Sequence, residues 1–180
     1  ETLTASRSFF FEEMSKMRHQ VALAKVPSVI EHLENILENG QKVVLFAHHH
    51  DVMRSILARF KDISVLIDGT VTSIEERDNR IQKFQNDPSC KLFIGSMRVA
   101  GLGLTLTAAH HVVFAELDWT PAVLTQCEDR CHRIGQEHNL LVQHLVVEGS
   151  MDSFMAKKVI AKQKQIKKAL DEPILSNKKG

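Results

Sequence analysis

The sequence lacks long apolar runs, paired cysteines and any excess of charge. No stretch of its 180 residues approaches the roughly 20 apolar residues of a membrane-spanning helix, and its start lacks the cationic and apolar segments of a secretory signal. Its three cysteines cannot all pair within one chain, so we expect reduced thiols in an intracellular protein. The net charge of +1 excludes a histone-like polycation but not a local basic face. Because the first residue is Glu1, we expect a piece of a longer protein.

Three familiar motifs of nucleotide and hydrolase chemistry are also missing. No glycine is followed by lysine, which excludes a phosphate-binding loop of the form G-x-x-x-x-G-K-[ST]. Gly101 and Gly103 match the start of a dinucleotide fingerprint, but Leu106 occupies the third glycine position. No serine lies within G-x-S-x-G, so a nucleophile elbow is excluded as well.

What the sequence does contain is a globular composition and an alternation of strand and helix patterns. Hydrophobic residues make up 43% and charged residues 25%, as in globular domains. The first four of five β-branched runs are almost continuously apolar, which indicates parallel strands covered on both faces. This alternation predicts an α/β layer fold. The predicted strands are 42–47, 63–67, 91–95, 111–115 and 140–147, and the predicted helices are 27–40, 51–60, 73–85, 121–133 and 151–170.

Histidines and cysteines offer two weak candidates for metal binding. The side chains of His48, His49 and His50 diverge on a helix and alternate on a strand, so we interpret them as loop or helix-entry residues. Cys127 and Cys131 are four residues apart on a predicted helix and favour a buried apolar face over a shared ion. We therefore predict no metal site.

The most informative helix carries two arginines. Gln126, Arg130 and Arg133 are spaced i, i+4 and i+7, which places them on one helical face. Guanidinium groups match phosphate oxygens in geometry and stay charged at any working pH. Spacing alone slightly favours a solvated helix whose arginines pair with Glu128 and Asp129.

The same segment, QCEDRCHRIGQ, resembles motif VI of the Swi/Snf-type superfamily 2 DNA translocases. Other segments resemble that family's motifs in the same order along the chain, and the forms A-E-L-x-W-x-P and G-L-T-x-T-A are most similar to its annealing-helicase branch. The resemblance covers residues 24–170. The additional segments are 42–51 for motif IV, 67–84 for the D-G-[ST] region, 96–109 for motif V and 112–121 for the block before motif VI.

The resemblance implies a three-layer, RecA-like α/β lobe with a mainly parallel central sheet, the second of two lobes in an ATP-dependent motor. It implies that ATP and Mg²⁺ are held mainly by a first lobe, and that the isolated chain is inactive without it. Arg130 and Arg133 would act as arginine fingers, which accelerate phosphoryl transfer by roughly 10³–10⁵-fold. The resemblance also assigns Gln126, Gly101 and Gly103 to the nucleotide side.

Three further residues are implied as contacts to the DNA backbone. They are Thr70, Ser96 and Arg98, and contacts of this kind are independent of base sequence. Many relatives carry threonine after the motif V serine, whereas this chain has Met97. Asp68 and the following glycine are equally compatible with an ordinary turn.

The expected partners are the first lobe and DNA, with no membrane, in a bacterial cytoplasm or a eukaryotic nucleus. The alternatives are a non-catalytic RecA-like binding module and an RNA-directed superfamily 2 lobe. We expect the lysines of the last helix to form a solvated face opposite a buried stripe of Met155, Val159, Ile166 and Leu170. The predicted divisions are a helical connector (1–25), the lobe (26–150), a C-terminal helix packed on it (151–172) and a tail (173–180).

Overall fold

Parallel strands form one continuous sheet at the centre of the chain. A computed structural model describes residues 2–132 and 139–171, and within them the sheet has five strands in the order β2-β3-β1-β4-β5, with every neighbouring pair parallel. The strands are β1 (Val43–Ala47), β2 (Ser64–Ile67), β3 (Leu92–Ser96), β4 (His111–Phe114) and β5 (Leu141–His144). The helices are α1 (Thr2–Glu38), α2 (His50–Phe60), α3 (Ile74–Asn86), α4 (Pro121–Asp129) and α5 (Met151–Asp171), with a 3₁₀ helix at Met97–Leu102.

Alternate residues of the central strands pack into two separate cores, one on each face of the sheet. Val44 and Phe46 of β1 contact the core formed with α3, α4 and α5. Val43 and Leu45 of the same strand contact the core formed with α1 and α2. Because both faces are covered, these strands need apolar residues at successive positions. The predicted three-layer α/β fold with a parallel sheet is confirmed.

Two predicted helix starts are confirmed by their capping contacts. The Ser73 hydroxyl accepts a hydrogen bond from the Glu76 N–H at 3.3 Å at the start of α3. The Ser150 hydroxyl accepts one from the Asp152 N–H at 3.1 Å at the start of α5. A side-chain oxygen at this position satisfies an N–H that has no partner within the helix.

The helix predicted to begin at Pro27 instead begins at Thr2 and runs through the proline. Proline has no N–H, so Pro27 leaves the Leu23 carbonyl without its helical hydrogen bond. Pro27 and Leu23 are both exposed, so water can bind that carbonyl instead. Val26 and Leu33, on the opposite side of α1, are buried in the core. This packing outweighs the local preference of proline.

Three other sequence predictions about these elements need correction. α4 ends at Asp129, before the predicted end at Arg133, which itself lies outside the described residues. Ile74 is 73% exposed and Ile166 is 52% exposed, so neither belongs to a buried helix face. Ile74 is the first residue of its helix, and the helix containing Ile166 is exposed at every residue described from 160 onward. The Leu170 side chain also lies outside the description.

A close approach of aromatic rings explains the glycine in β3. A Cβ atom at Gly95 would lie 2.8 Å from Phe93 Cε1 and 3.2 Å from Phe46 Cε1. Both rings are buried, so they have little room to move. Glycine thus allows the aromatic core to reach the end of the strand, directly beside the loops that form the candidate site.

Candidate functional site

A cleft of about 620 Å³ opens at the carboxyl edge of the sheet. Ligands of open α/β sheets bind at this edge, where the loops that follow successive strands converge. The loops after β1, β2 and β3 all contribute, together with one residue of α1. The polar lining comprises His19, His48, His49, His50, Asp51, Asp68, Thr72, Arg77, Ser96 and Arg98.

Imidazole and carboxylate groups are paired one to one around this cleft. His49 is the N-cap residue of α2, so the histidines lie at a helix entry, as predicted. In the part of the chain that the structure describes, no three His, Cys, Asp or Glu side chains group as a metal site would require. The pairs are His19 Nε2 with Asp51 Oδ2 at 2.6 Å, His49 Nδ1 with Glu116 Oε1 at 2.5 Å, and His50 Nδ1 with Asp68 Oδ2 at 2.9 Å.

Glu116 joins the carboxyl ends of two neighbouring strands. It follows β4, and its Oε2 accepts hydrogen bonds from the N–H groups of His48 and His49, after β1, at 2.8 and 2.9 Å. The Glu116 side chain is only 2% exposed. Burial alone would raise the pKa of Glu116, but the imidazole and the two N–H donors outweigh it and lower the pKa to about 2. Glu116 is therefore an ionised anchor of the cleft at any physiological pH.

Of the three residues predicted to contact DNA, two line the cleft and one lies beside it. Ser96 ends β3, and its hydroxyl accepts a hydrogen bond from the N–H of Arg98 at 3.3 Å. Arg98 is exposed and Met97 is buried, so Met97 contributes to the core. Thr70 lies in an adjoining depression, where its hydroxyl donates to Asp68 Oδ1 at 2.5 Å. The structure thus brings Ser96 and Arg98 together in the cleft and leaves Thr70 beside it.

Arg130 follows directly after the last residue of α4. The final turn tightens, because the Arg130 N–H donates to the Cys127 carbonyl at 3.2 Å, three residues back. The Arg130 Nε donates to the carbonyl of Gln126 at 3.3 Å. Among the described carboxylates, none lies within salt-bridge distance of Arg130. The ion pairs with Glu128 and Asp129 that spacing alone slightly favoured are therefore not formed.

The segment that matches motif V is joined to the Arg130 turn. The Leu106 N–H donates to the Arg130 carbonyl at 2.8 Å, and the Cys127 thiol lies 3.8 Å from the Met97 carbonyl. Burial, as the largest cause, raises the pKa of both Cys127 and Cys131 to about 12. The favoured interpretation of these cysteines as part of a buried face is confirmed.

The two glycines of motif V differ in what their backbones require. Gly103 has φ +73°, in the left-handed region that favours glycine. Gly101 has no such angle, and an added Cβ would meet nothing within 4 Å. Neither glycine, nor Gln126, nor Arg130 belongs to the lining of the cleft, although Leu102, between the two glycines, does.

Sequence reasoning missed His19, Asp51, Arg77 and Glu116 as site residues. Glu116 had a usable signal, because it directly follows a predicted strand at the edge where ligands bind. His19 had no such signal, because it reaches the cleft only through α1, and the start of that helix was predicted at Pro27 and not at Thr2.

Residues 28–135 match the family described as the helicase conserved C-terminal domain. This match spans more than half of the chain, so the chain belongs to that family. In the part that the structure describes, no helix has the length and apolar character needed to cross a bilayer.

Two curated relatives show the branch of the family. The chain is 40% identical over 146 residues to the DNA annealing helicase and endonuclease ZRANB3 of Mus musculus, covering 79% of this chain and 14% of the relative. It is 40% identical over 141 residues to the SWI/SNF-related matrix-associated actin-dependent regulator of chromatin subfamily A-like protein 1 of Xenopus tropicalis, covering 76% and 15%. The chain thus spans about one seventh of these relatives.

Two solved structures are similar to about three quarters of the chain. The Sulfolobus solfataricus SWI2/SNF2 ATPase core in complex with dsDNA aligns with TM-score 0.62 and 30% identity, over 78% of this chain and 30% of that one. The C-terminal part of the Fun30 ATPase domain aligns with TM-score 0.68 and 24% identity, over 75% and 44%, which supports the fold alone. The predicted resemblance to a Swi/Snf-type second lobe near the annealing-helicase branch is confirmed.

Proposed function

We propose that this chain is the second motor lobe of an ATP-dependent DNA translocase. Family membership and the similarity to a DNA annealing helicase support this proposal. The similar Sulfolobus core was solved with double-stranded DNA. We place the protein inside the cell, and its partners are the first lobe of the same polypeptide and DNA.

The observation that carries the proposal is the environment of Arg130. Its backbone is tied to the motif V segment through Leu106, while no described carboxylate neutralises its guanidinium. A guanidinium held in this way fits a phosphate brought by another domain. Arg130 acts as an arginine finger, and Arg133, outside the described residues, is assigned the same role by the motif match. Gln126, Gly101 and Gly103 form the nucleotide side.

ATP and Mg²⁺ are held mainly by the first lobe in this proposal. The sequence has no phosphate-binding loop. The residues present therefore fit a secondary contact to the nucleotide and not its main binding site. Bound Mg²⁺-ATP supplies the phosphoanhydride bond whose hydrolysis drives movement. The contribution of this chain is the cationic charge near the phosphates, which stabilises the charge that develops during phosphoryl transfer.

The cleft supplies the DNA side of the motor. Ser96 and Arg98 contact phosphates of the backbone, and Thr70 adds a contact from the adjoining loop. Binding is independent of base sequence, because such contacts position the protein without reading base edges. The hydrogen bond from the Leu106 N–H to the Arg130 carbonyl links the motif V segment to the arginine finger. Through this link, DNA binding and nucleotide binding influence each other.

The test is Arg130→Ala in the full-length protein. We expect DNA-stimulated ATP hydrolysis to fall by about 10³-fold or more, because arginine fingers contribute roughly that much to phosphoryl transfer. Steady-state ATPase assays with saturating duplex DNA measure the loss, and DNA affinity and melting temperature are measured in parallel.

Arg59→Ala is the matched control. Arg59 is an exposed arginine of α2 whose side chain pairs with Glu34 at 2.5 Å, and it lies at the opposite edge of the sheet. Its replacement should leave turnover unchanged. Near-normal turnover of the Arg130 variant would contradict the role given to that residue.

A further inference from the structure

The sheet ends on one side at β2, which has a neighbouring strand on its other side only. The Ile63 carbonyl, just before β2, accepts a hydrogen bond from the Leu92 N–H of β3 at 3.0 Å. The register pairs Ser64 with Leu92 and Leu66 with Ile94. Because the backbone groups of successive strand residues point to alternate sides, those of Ser64 and Leu66 point away from β3. The free edge of β2 therefore presents the N–H and C=O groups of two residues.

These outward groups have few bonding partners. The Leu66 carbonyl accepts a hydrogen bond from Nη1 of Arg80 in α3, which agrees with the outward direction of Leu66. Within residues 2–132 and 139–171, no backbone group outside β3 bonds to Ser64 or Leu66. A row of N–H and C=O groups along an edge strand is a template on which another chain can pair.

Two helices wall this edge and turn it into a groove, the depression that contains Thr70. The groove has a volume of about 720 Å³, within the usual range for binding sites. α2 and α3 pack on opposite faces of the sheet, so they form the two walls and β2 forms the floor. The lining includes Arg54 of α2, Ser64 and Leu66 of β2, and Arg80 and Lys83 of α3.

The groove carries positive charge that the fold does not neutralise. Of its two carboxylates, Glu76 pairs with Arg80, and Asp68 is bonded to an imidazole of the neighbouring cleft. No described carboxylate lies within salt-bridge distance of Arg54 or Lys83. One free cation therefore stands on each wall, and charge complementarity favours an acidic ligand.

A buried hydroxyl on the floor of the groove lacks a partner. Ser64 is 8% exposed, and its Oγ makes no hydrogen bond within the described part of the chain. Buried polar groups are nearly always hydrogen-bonded, so an orphaned one calls for an explanation. A polypeptide laid along β2 would bring N–H and C=O groups to this residue, which makes the hydroxyl a second, independent indication of a ligand.

We propose that this groove binds an extended acidic segment of another protein, which adds to the five-stranded sheet as a further strand beside β2. The main chain of the segment bonds to the outward groups of Ser64 and Leu66. Adjacent side chains of a strand point to opposite faces, so two successive acidic residues reach Arg54 and Lys83 on the two walls. A DNA backbone could use the cations, but it has no N–H donors for the edge carbonyls. The inference does not depend on the proposed motor function.

Fluorescence anisotropy with the full-length protein and a labelled acidic peptide tests this inference. The peptide has about ten residues, the upper length of an ordinary strand, with two adjacent Glu residues between Val and Thr residues. We expect saturable binding. Replacing both Glu residues of the peptide by Lys should weaken binding roughly tenfold or more. Replacing alternate Val and Thr residues by Pro should weaken it by a similar factor of about ten, because proline cannot donate to a strand.

Charge reversal on the two walls locates the site. Arg54→Glu combined with Lys83→Glu should raise the Kd of the acidic peptide roughly tenfold or more. The matched control combines Lys61→Glu with Lys157→Glu, two exposed lysines outside the groove, and has the same net charge. It should keep the wild-type Kd, and equal melting temperatures should show that both variants are folded.

Absence of saturable binding by the acidic peptide would overturn the inference, as would an equal loss of affinity in the groove and control variants. The Kd of both variants for duplex DNA separates a protein site from a nucleic-acid site. Weaker DNA binding by the groove variant, without binding of the peptide to the wild type, would assign the groove to DNA and overturn the inference. The proposed motor function stands or falls separately, on the ATP hydrolysis of the Arg130 variant.

Discussion

The two edges of the sheet use the same residue types with different partners. Towards the amino edge, His32 and His111 both donate to the amide oxygen of Gln143, at 2.8 and 2.7 Å. At the carboxyl edge, His49 and its neighbours bond to carboxylates instead. The amide oxygen brings no net charge to its histidines, whereas each carboxylate brings a full negative charge to the edge where it lies. Both edges contain histidines, so the structural edge and the candidate binding edge differ in the partners of those histidines.

The lysines near the two edges also differ in their partners. Lys42, just before β1, donates to the backbone carbonyls of Phe84 and Asp87. Lys25 pairs with Asp152, and the two side chains are only 4% and 3% exposed. Charge that is buried and paired is costly to disturb, because removal of one partner leaves the other uncompensated. We therefore expect changes at the carboxyl edge to have larger effects than matched changes at the amino edge.

The largest expected effect on stability comes from Lys25→Ala. It should lower the free energy of unfolding by about 3–5 kcal/mol, since Asp152 is left buried without its partner. Lys42→Ala should cost only about 1–2 kcal/mol, because its partners are carbonyls. Urea denaturation of both variants measures the difference. Replacing Lys25 and Asp152 together by Met and Leu should recover most of the loss, and equal costs for the two single variants would break the comparison.

A smaller effect is expected when Glu116 is protonated. Its pKa is lowered from 4.5 to about 2, so the folded state favours the ionised form. The resulting stability is present in full above about pH 5 and is lost as the pH falls towards 2. Between about pH 5 and pH 3 this one carboxylate should account for roughly 2 kcal/mol of lost stability.

Glu116→Gln isolates that contribution from the other carboxylates. The free energies of unfolding of wild type and Glu116→Gln are measured by urea denaturation across the acid range. They should converge as the pH falls, and a constant difference between them would show that Glu116 is not the ionised anchor described above.

The sheet was predictable from the sequence because its signal is local. Residues such as Val43, Val44 and Leu45 are apolar in succession and β-branched in part, and strands covered on both faces have that pattern. Helix caps such as Ser73 are equally local, since a cap and the N–H it satisfies lie three residues apart. Motif VI placed Gln126 and Arg130 within one turn, and they do lie in contact.

The rest of the site depends on contacts between distant parts of the chain. His19 meets His49 only because α1 continues through Pro27, and the burial of Val26 and Leu33 decides that continuation. The early end of α4 likewise accompanies a contact with Leu106, which no local pattern reveals. Tertiary packing of this kind overrides local preference, so the lining of the cleft had to come from the structure.

The most direct measurement is ATP hydrolysis by the full-length protein with duplex DNA, with duplex RNA of the same length, and with no nucleic acid. We predict strong stimulation by DNA of any base sequence and little by RNA. The 180-residue chain alone should show almost no turnover under any condition. DNA binding without any stimulation would indicate a non-catalytic binding module, stimulation by RNA alone would indicate an RNA-directed lobe, and either result would contradict the assignment as a DNA motor.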